Sequence, residues 1–241
     1  MTQTKASALG KSILWCVCIL LFPIFSRVLS AVFSLGTVET LLLQGVFMLL
    51  SLLVPACFLL TKKWGRSDIG FAEADARGCK KAYYFLPLIA VLLPASVRGF
   101  SLGSAAYVLG NLFLYASVGV AEEVYFRGII PNCLRKAFSP GGVILLSAVI
   151  FGTGHIASAF TAGSGLEVFL TVLNAFIFGW LAIEMTLLAG NIVPAVILHF
   201  LFDFETKIAV ISGNELLIAE CVRGAVMVAA AIWLAAAARR K

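Results

Sequence analysis

Residues 105–130 read AAYVLGNLFLYASVGVAEEVYFRGII, and their reading decides the fold. Residues 105–120 hold no charged side chain, and Glu122, Glu123 and Arg127 follow within the same apolar run. A run of roughly 20 apolar residues is long enough to cross a bilayer as one helix. An ionisable side chain at the centre of such a helix costs about 2.5–3.5 kcal/mol, so it persists where it has partners and a function. The stretch therefore predicts a membrane helix with chemistry built into it.

The rest of the chain agrees. Of 241 residues, 61% are hydrophobic and 12% charged, and mean hydropathy is +1.04. Soluble domains carry about 25% charged residues. The expected fold class is all-α: a polytopic membrane protein with about eight transmembrane helices in one bundle around an intramembrane polar cavity. The expected spans are 12–35, 38–60, 82–97, 105–130, 143–160, 166–188, 192–208 and 216–238. They form a single integral domain, 1–241, with the chemistry at about 105–207. Pro87 and Pro94 predict a kink in the third span. Pro140-Gly141-Gly142 and Ala189-Gly190-Asn191 predict turns.

The net charge of +6 is not that of a nucleic-acid binder, because the basic residues sit at the ends of apolar runs. Lys5 and Lys11 lie at the start. Lys62, Lys63, Arg66, Arg77, Lys80 and Lys81 fill the one long polar loop. Arg135 and Lys136 follow the fourth span, and Arg239, Arg240 and Lys241 follow the eighth. The loop at 161–165 has no basic residue. By the positive-inside bias, both termini are expected in the cytoplasm, with the chain in a bacterial inner membrane. Lys5 and Lys11 before the apolar run 13–25 resemble a signal peptide, with Val28 and Ser30 suiting a cleavage site, but Arg27 just before that site and the six or seven spans that follow favour an uncleaved first span. The six cysteines (Cys16, Cys18, Cys57, Cys79, Cys133 and Cys221) match no zinc or disulfide spacing.

Three clusters do not belong in lipid. Glu123 and Arg127 are spaced i, i+4 and pair on one helix face; Glu122 points about 100° away without that partner, as suits a group exchanging protons near neutral pH. The bland alternative is a Glu-Arg network that only locks helices. His155 follows Phe151-Gly152-Thr153-Gly154, whose glycines leave room for a close helix or a substrate backbone; a lone membrane histidine is otherwise a satisfied hydrogen-bonding residue. His199 and Asp203, again i, i+4, share a face, with Asp203–Lys207 as the structural alternative. Asn174 is expected to bond between helices, Glu184 to snorkel at a helix end, and Glu220 with Arg223 to form a structural pair.

The set Glu122-Glu123-x-x-x-Arg127, Phe151-x-x-x-His155 and His199-x-x-x-Asp203, on successive helices, resembles the CAAX protease and bacteriocin-processing (CPBP) family of intramembrane endopeptidases. That family is related to the type II CAAX prenyl endopeptidase. Tyr125-Phe126-Arg127-Gly128 and Gly190-Asn191-Ile192-Val193-Pro194 fit as well. The resemblance implies an eight-helix bundle whose cavity opens toward the cytoplasm and the bilayer. It implies that Glu122 and His155 activate a water, that Glu123 and Arg127 support them, and that His199 and Asp203 stabilise the oxyanion. The family's better-known members have Asn at the position of Asp203, which leaves open whether Asp203 donates as a neutral acid or accepts from His199. The implied substrate is a peptide or protein at the bilayer, cut near the cytoplasmic face, with no cofactor. Two Glu and two His also allow a zinc-dependent membrane protease, although the His-Glu-x-x-His spacing is missing. A non-proteolytic bacteriocin-immunity protein or signalling partner, and a proton-coupled transporter, are competing functions. Substrate identity and oligomeric state are not readable from the sequence.

Overall fold

A computed structural model describes residues 4–71, 82–160 and 164–239. Arg77, Cys79, Lys80, Lys81, Arg240, Lys241 and residues 161–163 of the expected outer loop lie outside the described residues. Helices α1 (Lys5–Val32), α2 (Thr37–Ser51) and α3 (Leu53–Leu60) come first. After a polar segment, a 3-10 helix (Ala82–Val91) leads into α4 (Leu93–Ser96). Helix α5 (Ala105–Glu123) runs through a π-helical turn (Val124–Ile129) into α6 (Ile130–Leu134). Helix α7 (Pro140–Gly154) ends in a 3-10 turn (His155–Phe160), and α8 (Gly165–Ala189), α9 (Val193–Ile208) and α10 (Gly213–Arg239) complete the bundle.

The helix starts follow from capping chemistry. The side chains of Thr4, Ser104, Ser139 and Ser164 accept the backbone N–H of Ser7, Tyr107, Gly142 and Glu167, satisfying donors that a helix start leaves free. Pro140 stands in the first turn of α7, where its missing N–H costs nothing. Gly190 ends α8 at φ +76°, and Asn191 Oδ1 accepts from Val193 N, so the expected turn at 189–191 is present.

Among the described residues, six helical stretches are long and apolar enough to cross a membrane: Lys5–Val32, Thr37–Leu60, Ala105–Leu134, Pro140–Ala157, Gly165–Ala189 and Gly213–Ala237. The expected third span is instead broken into the 3-10 helix and α4, with Pro94 in the first turn of α4. Proline cannot donate to the preceding turn, which is why a continuous α-helix fails there. The expected seventh span is α9, of 16 residues.

Packing is inside-out compared with a soluble protein. On α1 the buried face is Ala8, Ser12, Cys16, Ile19, Ser26 and Ser30, while Leu14, Phe25 and Val32 point outward. Small residues inside let helices approach where lipid removes the hydrophobic reason to associate. Helices α7 and α8 show this reciprocally. A Cβ on Gly152 would meet the Phe176 backbone at 3.1 Å, and one on Gly179 would meet Ala148 at 3.1 Å. Gly152 thus serves helix approach, one of the two uses its position allowed.

Candidate active site

Helices α5 and α9 carry the polar centre. A Cβ on Gly119 would meet the Val196 carbonyl at 3.2 Å, so the glycine lets the two helices run close together. That brings the acids at the end of α5 against His199. The expected Glu123–Arg127 pair is present: Arg127 Nη1 lies 2.8 Å from Glu123 Oε1, both side chains being fully buried. The same oxygen lies 2.7 Å from His199 Nδ1. A carboxylate only accepts, so His199 donates from Nδ1 and turns Nε2 the other way.

Around Nε2 stand two more acids, Asp203 Oδ2 at 3.5 Å and Glu122 Oε2 at 3.9 Å. Glu122 therefore has a neighbour, although its Oε2 is buried without a hydrogen bond. Among the described residues, the ion pair of Asp203 is with His199 and not with Lys207. The guanidinium of Arg127 lies 4.1 Å over the Phe151 ring and 5.5 Å from Phe178. A desolvated contact of this kind is worth roughly 2 kcal/mol. It eases the burial of an arginine whose Nη2 has no hydrogen bond among the described residues.

His155 opens the 3-10 turn after α7. Its Nδ1 lies 2.9 Å from the Phe151 carbonyl, so Nδ1–H donates and Nε2 is left with a lone pair. The Phe151 ring touches both histidines, with centroids 4.7 Å from His155 and 5.9 Å from His199. His155, His199 and Asp203 all line one cavity of about 430 Å³. Glu122 is not part of that lining and meets it through His199. Among the described residues, no group of three or more His, Cys, Asp or Glu is placed to hold a metal ion.

A second buried network adjoins the first. Arg223 of α10 is fully buried and donates to Thr206 Oγ1 at 2.8 Å, Glu220 Oε1 at 3.0 Å and Glu205 Oε2 at 2.5 Å. It also donates to the backbone carbonyls of Phe202 and Val91, and it lies 3.9 Å over the Phe202 ring. Asn174 donates to Glu220 Oε2 at 2.8 Å and to the Glu220 carbonyl. The i, i+3 spacing of Glu220 and Arg223 and the interhelical bond of Asn174 are readable in the sequence. Glu205 is not, because its partner is 18 residues away on another helix. Glu184 corrects an expectation. It is buried and accepts from Trp180 Nε1 at 3.3 Å, and this indole donor on its own helix removes the need to snorkel.

No curated protein and no solved structure matches the chain. A family model does, over residues 103–204, under the description Type II CAAX prenyl endopeptidase Rce1-like. The matched segment contains Glu122, Glu123, Arg127, His155, His199 and Asp203; α10 lies beyond it. Residues 103–204 are thus similar to the Rce1-like type II CAAX prenyl endopeptidases, and the chain is an integral membrane protein of all-α fold.

Proposed function

We propose that this chain is an intramembrane endopeptidase that hydrolyses a peptide bond in a membrane-associated or membrane-delivered peptide, with Glu122 and His155 activating the water. One observation carries the reading. Two histidines from separate helices line one cavity, each with Nδ1 committed to a protein acceptor, and three carboxylates stand beside the second. Such positioned acids and bases are what water-dependent proton transfer needs.

The proposed reaction conserves every proton. Water loses its proton to Glu122, with the His155 Nε2 lone pair orienting it, and the hydroxide bonds to the carbonyl carbon. The carbonyl oxygen becomes an oxyanion held by Asp203 in its neutral form and by His199 as an imidazolium, which donates from Nε2 while Nδ1 donates to Glu123. The C–N bond breaks as the proton held by Glu122 passes to the leaving amine, freeing two peptide fragments. Glu123 and Arg127 fix the His199 ring. The proposed chemistry needs no metal, and full cleavage after exhaustive chelation is the expected check.

The test uses the purified protein in bilayer nanodiscs with a library of membrane-tethered peptides, and cleavage is read by mass spectrometry. Glu122→Gln and His155→Ala should each reduce cleavage by about 10²–10⁴-fold, the usual size of a general acid–base contribution. Wild-type cleavage by either variant would remove the mechanism.

A further inference from the structure

The cavity occupies one half of the bundle's depth. On α8 it is lined from Glu167 to Phe178, within the half that follows the helix start. On α9 it is lined from His199 to Lys207, toward the helix end. On α10 it takes Leu216, Leu217 and Glu220, near the start, and on the α7 side it takes Phe151 and His155, at the end. All four stretches belong to the same end of the bundle, where Ser101 N bonds the Ile208 carbonyl, Val210 N bonds the Gly99 carbonyl, and Arg98 pairs with Glu215.

Apart from Arg98 and Lys207, the basic residues of the described loops and helix ends gather at the other end. Lys62, Lys63 and Arg66 belong to the segment that packs on the α8–α9 turn, where Ile192 N donates to the Gly70 carbonyl. The same segment is tied to α6 by Asn132 Nδ2 donating to Asp68 Oδ1 at 2.7 Å. Arg135 and Lys136 follow directly on α6, and Lys5 lies 5.9 Å over the neighbouring Phe138 ring. Basic residues flanking membrane helices stay on the cytoplasmic side. The cavity mouth, with Glu167 and Lys207 of opposite charge, faces away from that side.

We infer that the cavity receives its peptide from the non-cytoplasmic face of the membrane: an extended segment of about four residues passing between Glu167 and Lys207 to reach His155, His199 and Asp203. The length follows from the α9 wall. His199 to Lys207 spans about 12 Å at 1.5 Å per residue, and an extended chain covers about 3.3 Å per residue. That the occupant is a peptide rests on the endopeptidase reading; the side of access rests on geometry and charge alone. It is opposite to the cytoplasmic opening that the family resemblance implies.

The experiment places single cysteines at exposed positions of the full chain in a bacterial inner membrane. Glu167→Cys and Lys207→Cys mark the mouth, and Lys136→Cys marks the basic end. A membrane-impermeant maleimide is applied to spheroplasts and to inverted vesicles. Peptide-resolved mass spectrometry identifies the labelled cysteine, so the native cysteines remain. The mouth cysteines should label in spheroplasts and lose labelling in inverted vesicles, with Lys136→Cys the reverse. Labelling of the mouth from the same side as Lys136→Cys, or no labelling of the mouth from outside, overturns the inference. The labelling needs no cleavage, so it stands apart from the Glu122→Gln assay. With both intact, a tethered peptide should be cut only when presented on the spheroplast-outer face.

Discussion

His199 Nδ1 and Arg127 Nη1 meet on a single oxygen, Glu123 Oε1, at 2.7 Å and 2.8 Å. One buried carboxylate thus sets both the ring orientation of a cavity histidine and the position of a guanidinium stacked on Phe151. Glu123 touches no cavity space, yet it decides what the cavity histidine presents.

Glu123→Ala should therefore fail twice. It strands Arg127 as a buried cation without its acid, and breaking a buried pair from one side costs about 3–5 kcal/mol. Glu123→Gln keeps an acceptor for His199 and should insert and fold better than Glu123→Ala while still losing cleavage. Thermal unfolding in detergent ranks the two variants, and the nanodisc assay reads the activity. Equal unfolding temperatures for Glu123→Ala and wild type would count against the shared-oxygen arrangement.

Asp203 lies 3.5 Å from His199 Nε2 with its side chain 28% exposed, at the position where the better-known members of the resembled family have Asn. If its neutral form donates to the oxyanion, cleavage must fall as pH rises through its titration, because the carboxylate cannot donate. Asparagine donates at every pH. Asp203→Asn should hold wild-type cleavage at low pH and flatten the alkaline fall. A pH–rate profile identical to wild type would mean that Asp203 does not act through its proton.

Arg223 grips the Phe202 carbonyl and the Thr206 hydroxyl, one on each side of Asp203 in the chain, and its ion pairs are with Glu205 and Glu220. Arg223→Met leaves the buried Glu205 and the partly buried Glu220 without their cation and should destabilise the protein by about 3–5 kcal/mol. Adding Glu205→Gln and Glu220→Gln removes those charges and should restore most of the loss, measured by urea or thermal unfolding in the same detergent. No recovery in the triple variant would show that packing, not charge, dominates the site.

Gly128 sits against Ile69, and a Cβ there would land on the Ile69 carbonyl. Overpacking of this kind costs about 1–3 kcal/mol. Gly128→Ala should loosen the segment that Asn132 ties down through Asp68. Limited proteolysis should show faster cutting near residues 61–71 while the helices stay protected. An unchanged digestion pattern would show that the segment shifts without releasing.

Much of the site is legible in the sequence because lipid makes polar residues conspicuous. Glu122, Glu123, Arg127, His155, His199 and Asp203 stand out in apolar runs, and their i, i+4 spacing alone makes Glu123 and Arg127, and His199 and Asp203, neighbours on a helix. Long-range partnerships are not legible. Nothing local to Glu123 indicates His199, 76 residues on. Nothing near Glu205 points to Arg223, which reaches it from a different helix, α10. The π-helical turn at Val124–Ile129 also leaves no mark in the residue pattern, since it changes hydrogen bonding without changing composition. Prolines signal a break in the third span, but not its division into a 3-10 helix and one α-helical turn.

His155 and His199 are the only two histidines of the chain, and both stand in the cavity wall. Isotopic labelling of histidine alone would therefore yield a spectrum with two resonances and no background, each reporting from within reach of any bound molecule. The protein carries its own spectroscopic probe in the wall of the cavity proposed to take the peptide, without any substitution.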